Sequence, residues 1–116
     1  IALGRRDEER AIMRRVSEWA ADCPEETLNL VELADVAGVS LRQLQQAFKA
    51  FTGMPPAQWL RLRRLNGARR DLLRDGRATV AEVAMRWSFW HLGRFSESYR
   101  QLFKEFPSET LKRSRG

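Results

Sequence analysis

The stretch NLVELADVAGVSLRQLQQAFKAFTG, residues 29–53, reads as two helices and a turn. Asn29 stands three residues before Glu32, and Ser40 three before Gln43. Each pair has the chemistry of a capping box, in which the first side chain accepts from a backbone N–H and the second reaches back. Gly38 and Gly53 fall where a left-handed residue can close the last turn of each helix. Leu41, Leu44, Phe48 and Phe51 recur at helical steps and give the second helix one apolar stripe. A short helix, a tight turn and a second amphipathic helix describe a helix-turn-helix.

The pattern occurs twice. Shifted by 50 residues, Leu30-Val31-Glu32-Leu33-Ala34 lies over Val80-Ala81-Glu82-Val83-Ala84, and Gly38-Val39 over Ser88-Phe89. Shifted by 51, the stripe falls on Leu92, Phe95, Tyr99 and Leu102, and Pro56 on Pro107. The second turn is therefore one residue longer. Agreement of caps, small residues, turn and stripe makes this an internal repeat.

Outward from the repeat the remaining segments are also helical. Ile12, Val16, Trp19, Ala20 and Cys23 form one face of a helix ended by Pro24, with Cys23 read as a small core residue. Pro55 and Pro56 open a long helix that Gly76 stops; Trp59, Leu62, Leu65, Ala68, Leu72 and Leu73 form its apolar face. Arg61, Arg63, Arg64, Arg69, Arg70 and Arg74 charge the rest, and Gly67 is a weak point in its middle. A last short helix follows Pro107. No stretch alternates with period two, so the expected fold is all-α with about seven helices, two helix-turn-helix subdomains joined by a long linker helix. The expected division is an N-terminal, partly disordered segment at 1–10, a first subdomain at 11–54, the linker at 55–76 and a second subdomain at 77–116.

The polar face of each second helix carries the candidate chemistry. Arg42, Gln45, Gln46 and Lys49 are spaced i, i+3, i+4 and i+7, opposite the apolar stripe. Arg matches the O6/N7 edge of guanine and Gln the N6/N7 edge of adenine, while Lys49 suits a phosphate. In the second copy the matching residues are Gly93, Ser96, Glu97 and Arg100, with Arg94 and His91 beside them. Glu97 could accept from cytosine N4, Arg94 could reach guanine, and Gly93 allows close backbone approach. Arg61 and Arg100 join Lys49 as phosphate-contact candidates. Trp87, Phe89 and Trp90 read as core aromatics, one of them free to touch a thymine methyl or the DNA backbone. The linker helix, about 20 residues and so roughly 30 Å, nearly matches the roughly 34 Å between successive major grooves on one face of B-DNA.

Charge agrees with a polyanionic partner. Residues 1–41 hold five Lys/Arg against nine Asp/Glu, whereas residues 42–116 hold sixteen against six. One Cys and one His argue against zinc, disulfide or Cys/His chemistry, and no apolar run reaches the length of a membrane span. No cofactor, metal site, catalytic group or membrane partner is expected. The chain reads as a cytoplasmic, sequence-specific binder of double-stranded DNA in transcription control. The rival reading is a helical adaptor whose polar faces bind protein.

At these residues the sequence resembles the DNA-binding domain of the AraC/XylS family of bacterial transcription regulators. The likeness runs from about Ala11 to Leu111. It rests on Leu33-Ala34, Ala37-Gly38-Val39-Ser40, Leu44-Gln45 and Phe48, then Gly53-Met54-Pro55-Pro56, Trp59-Leu60-Arg61, Arg64-Leu65 and Ala68-Arg69. The second half adds Val83-Ala84, Ser88-Phe89, Phe95, Tyr99, Phe103 and Pro107. Residues 87–95 are in addition weakly similar to ethanolamine-operon regulators within that family. The resemblance implies base contacts from Arg42, Gln45 and Gln46 and from residues around Gly93, Ser96 and Glu97. It also implies an effector or dimerisation domain on a part of the protein outside this chain, and RNA polymerase as an example of the protein partner in the rival reading. Three positions depart from the family pattern: Ser88 and Lys104 stand where Gly is common, and Thr110 where an aromatic is common. The usual turn would force Lys104 to positive φ.

Overall fold

Both expected capping boxes form. Asn29 Oδ1 accepts from the Glu32 N–H at 2.9 Å while Glu32 accepts from the Asn29 N–H at 3.1 Å. Ser40 and Gln43 make the same exchange at 3.2 and 3.0 Å. Thr79 Oγ1 caps the third such start, accepting from the Glu82 N–H at 3.1 Å. Each cap satisfies donors that a helix start leaves orphaned, a contribution of about 1 kcal/mol. In the computed structural model, which describes residues 4–115, the helices so defined are α1 (Arg5–Asp22), α2 (Leu30–Ala37), α3 (Leu41–Thr52), α4 (Pro56–Arg74), α5 (Val80–Arg86), α6 (Leu92–Phe103) and α7 (Pro107–Arg115). These seven helices are the only regular elements among the described residues. Arg5–Arg10 belong to α1; the first three residues of the N-terminal segment lie outside the described part.

The chain forms two compact units, Ile1–Arg61 and Leu62–Gly116, so α4 begins in one and ends in the other. In the first unit α1 packs on α2 and α3. Ile12 and Val16 meet Leu33, Ala34, Ala37, Leu44, Ala47 and Phe48, and Leu60 of α4 closes the core. Trp59 lies edge-on to Phe48 at 5.6 Å between centroids. The Arg15 guanidinium donates to the Ala37 carbonyl, which the end of α2 leaves without an intrahelical donor. Cys23 does not enter this core; it is the half-buried C-cap of α1.

The second unit is built around Leu65, Ala68 and Leu72 of α4, Val83 and Ala84 of α5, Trp87, and Phe95 and Tyr99 of α6. Rings run through it in sequence, Phe89 to Phe95 at 4.7 Å, Phe95 to Tyr99 at 5.8 Å and Tyr99 to Phe103 at 4.6 Å. Leu73, read as part of the linker's apolar face, is exposed, because the buried arc of α4 there is narrower than the run of leucines. Gly67 is no weak point. A Cβ on it would lie 2.4 to 2.5 Å from three atoms of the Trp87 indole, so the missing side chain is what lets the ring lie against the helix.

The repeat extends into burial and backbone. Exposure along the stripe runs 38, 0, 0 and 42% for Leu41, Leu44, Phe48 and Phe51, and 46, 1, 0 and 38% for Leu92, Phe95, Tyr99 and Leu102. Pro56 and Pro107 are each the buried first residue of a helix. Gly38 and Ser88 share a left-handed conformation (φ 70° and 63°), as do Gly53 and Lys104 (φ 73° and 64°). The turns are thus the same device twice, built once with glycine and once without it.

Candidate nucleic-acid interface

The first motif presents α3. Its apolar residues Leu44, Ala47 and Phe48 are fully buried, which fixes the rotation of the helix and turns the opposite side outward. Arg42, Gln45 and Lys49 are exposed there and Gln46 is half-buried. The row is continuous because residues three and four apart are neighbours on a helix. Gln43 lies on another face and is committed to the cap at Ser40. Among the described residues, Arg42, Gln45, Gln46 and Lys49 make no side-chain hydrogen bond or ion pair within the chain, so their donors and acceptors face outward. Gln45 and Lys49 also line a shallow recess with Gly53, Met54, Pro55 and Pro56, where the chain turns into α4.

The second motif presents α6 in the same register but with different chemistry. Gly93, Arg94, Glu97 and Arg100 are exposed, and Ser96 is half-buried. A Cβ at Gly93 would meet nothing within 4 Å, so its lack of a side chain answers to no packing need within the chain. Glu97 pairs with Arg100 at 3.6 Å and takes a 3.5 Å hydrogen bond from Gln101. Arg100 in turn lies 5.4 Å from the Phe106 ring centroid. His91 is the N-cap of α6, but its side chain makes no capping bond. Trp87 is buried and Phe89 packs partly into the core, whereas Trp90 is 71% exposed, a correction to reading all three as core.

Arginines of α4 divide by role. Arg61 is exposed. Arg64 donates to the Ser88 carbonyl at 3.2 Å and lies 4.8 Å from the Phe89 ring centroid, while Arg69 sits 5.2 Å from Phe103 and Arg70 5.9 Å from Trp87. These three are held against aromatic faces, which attract a guanidinium through the ring quadrupole. Asp71 draws Trp87 Nε1–H at 2.7 Å and Arg86 at 3.0 Å, and that bond holds Arg86 still more firmly charged than a free arginine. Periodicity gave no sign of these contacts, because the partners are 15 to 34 residues apart.

Behind α6 a polar chain pins α7. Tyr99 Oη donates to Thr110 Oγ1 at 2.8 Å, and Thr110 passes its own hydrogen to Glu105, which Arg113 also holds. Arg113 and then Thr110 keep the Glu105 carboxyl below its ordinary pKa, while burial pushes the Tyr99 hydroxyl up, so it stays a donor. Thr110 is fully buried, and this is why a small hydroxyl residue can stand where the resemblance leads one to expect an aromatic.

No helix among the described residues is long and apolar enough to cross a membrane, and none of their His, Cys, Asp and Glu side chains cluster as a metal site. What the two motifs share is an outward second helix whose rotation is set by a buried stripe, the geometry of helix-turn-helix proteins that read DNA. A family model described as a helix-turn-helix domain matches residues 33–113. The XylDLEGF operon transcriptional activator 3 of Pseudomonas putida is 37% identical over 102 residues, 85% of this chain and 30% of that protein. The crystal structure of a transcriptional regulator from Chromobacterium violaceum, titled as AraC-type DNA-binding domain-containing, aligns with a TM-score of 0.78 at 27% identity, over 90% of this chain and 93% of the other. The DNA-binding domain of AdpA, solved in complex with a target DNA, aligns with a TM-score of 0.72 at 29% identity, over 86% and 89%. The chain belongs to the AraC/XylS family of helix-turn-helix transcription regulators. It spans about a third of the length of the curated relative above, and its family is one of regulators rather than enzymes.

Proposed function

We propose that the chain binds a specific double-stranded DNA site, with α3 and α6 entering successive major grooves and α4 bridging them. The observation that carries this reading is the outward, unpartnered row Arg42, Gln45, Gln46 and Lys49 on a helix whose rotation is fixed by its core. Arg42, Gln45 and Gln46 read bases in the first half, Arg94 leads the second half with Gly93, Ser96 and Glu97 around it, and Lys49, Arg61 and Arg100 hold phosphates. In functional terms the division is a reader at 11–54, a bridge at 55–76 and a second reader at 77–116, working in the cytoplasm, with effector sensing or dimerisation supplied by a separate part of the protein.

Selection of binding sites from random duplex DNA tests this. The wild-type chain should return one asymmetric motif spanning two helical turns. Arg42→Ala or Gln45→Ala should cost about 1–3 kcal/mol on that site and relax the base preference at one position, whereas Lys49→Ala should weaken all sequences alike. An unchanged selected motif from the Arg42 and Gln45 variants would refute the placement of α3.

A second reading, contact with RNA polymerase, is favoured by α2. Val31, Glu32, Asp35 and Val36 are all exposed and form one acidic and apolar face. Retention of polymerase in a pull-down free of DNA, lost in Glu32→Ala/Asp35→Ala, would support it.

A further inference from the structure

Trp90 is the residue by which the two motifs differ in length. Gly38-Val39 correspond to Ser88-Phe89 at one shift and Ser40-Leu41 to His91-Leu92 at the next, so Trp90 is inserted between Phe89 and the cap of α6. The insertion is large, apolar and 71% exposed, outside the core that takes Trp87 and Phe89. Two residues on, Leu92 opens α6 at 46% exposure, and Gly93 beside it leaves open space. At the leading end of α6 Gly93 stands where α3 carries Arg42, and the apolar side chains exposed beside it are Trp90 and Leu92. Glu97, the acceptor that could read cytosine, lies beside Arg100 in an exposed pair at 3.6 Å.

We propose that Trp90 and Leu92 read thymine by its C5 methyl in the second half of the DNA site. The inference rests on the DNA-binding reading above. In the major groove the thymine methyl is the one apolar mark a base pair offers, so an apolar reading end has a single kind of target there. Charge favours DNA over a protein or a lipid surface as the occupant of this patch: Arg94 is exposed beside it, and residues 62–116 hold thirteen Lys/Arg against six Asp/Glu. The second motif thus adds apolar contact to the reading by Arg94, whereas the first selects by hydrogen bonds.

Replacing thymines of the second half-site one at a time by deoxyuridine removes the methyl and keeps every hydrogen-bonding edge. Wild-type affinity should fall about fourfold at the contacted thymine, the loss expected for one buried methyl-sized group. Trp90→Ala and Leu92→Ala should bind thymine and uracil duplexes with a smaller difference, and the double variant with none. Both side chains lie outside the buried core, so melting temperature should hold and serves as the control for folding. An unaffected wild type, or full discrimination in the double variant, would overturn the proposal. Failure of the wild type to prefer any duplex would instead overturn the DNA reading on which it stands. Loss of polymerase retention in Trp90→Ala, with thymine discrimination intact, would assign the tryptophan to a protein partner and refute it.

Discussion

Lys104 holds a left-handed conformation (φ 64°) that the matching Gly53 adopts freely, and it is the C-cap of α6. A side chain there costs roughly 1 kcal/mol in steric strain. The Lys104 ammonium returns a little of that through a 3.0 Å hydrogen bond to the Gln101 carbonyl, at an exposed site where such a bond is weak. Lys104→Gly should therefore stabilise the chain by up to about 1 kcal/mol, a rise of a few degrees in Tm by thermal unfolding. A fall in Tm would mean that the lysine does more than close the turn. The resemblance implied positive φ at this residue, where the family commonly has Gly, and the repeat, which sets Lys104 against Gly53, agrees with it. The same register sets Ser88 against Gly38 and carried the same information about Ser88.

Elements were legible wherever their causes are local. Asn29 with Glu32, Ser40 with Gln43, and Gly38 and Gly53 lie within a few residues of what they cap, and all act as their spacing predicts. Contacts between distant segments were not legible, and α4 shows why. Gly67 in isolation is a poor helix residue, and alanine there should gain about 1 kcal/mol. The Trp87 ring, held by Asp71 and lying against Gly67, reverses the sign. Gly67→Ala should lower stability by about 1–3 kcal/mol through overpacking, and a denaturant titration that found it more stable would refute the assigned packing. The attachment of α7 has its own signature in acid. Arg113 and Thr110 hold the folded-state pKa of Glu105 down, so the stabilisation is fully present above the unfolded-state value of about 4.3 and is lost as pH falls through the lower folded value. Wild type should therefore melt above Glu105→Gln at neutral pH, with the gap narrowing on acidification below that range. A gap that stays constant with pH would show that the ion pair does not anchor α7.

For the whole molecule, the all-α architecture and the doubled motif followed from periodicity and caps. Division of labour among the arginines did not, because Arg64, Arg69 and Arg70 are set by rings far away in sequence. The proposed function requires that the two readers joined by α4 act as one bridge on DNA. Equilibrium affinity for the selected site and for the same site with 5 base pairs inserted between its halves tests it most directly. Half a helical turn moves the second major groove to the far face of the duplex, which the second reader could not follow if the 19 residues of α4 hold the two readers at a fixed spacing. Affinity for the lengthened site should fall to that of an isolated first half-site. Unchanged affinity for the lengthened site would contradict the bridge.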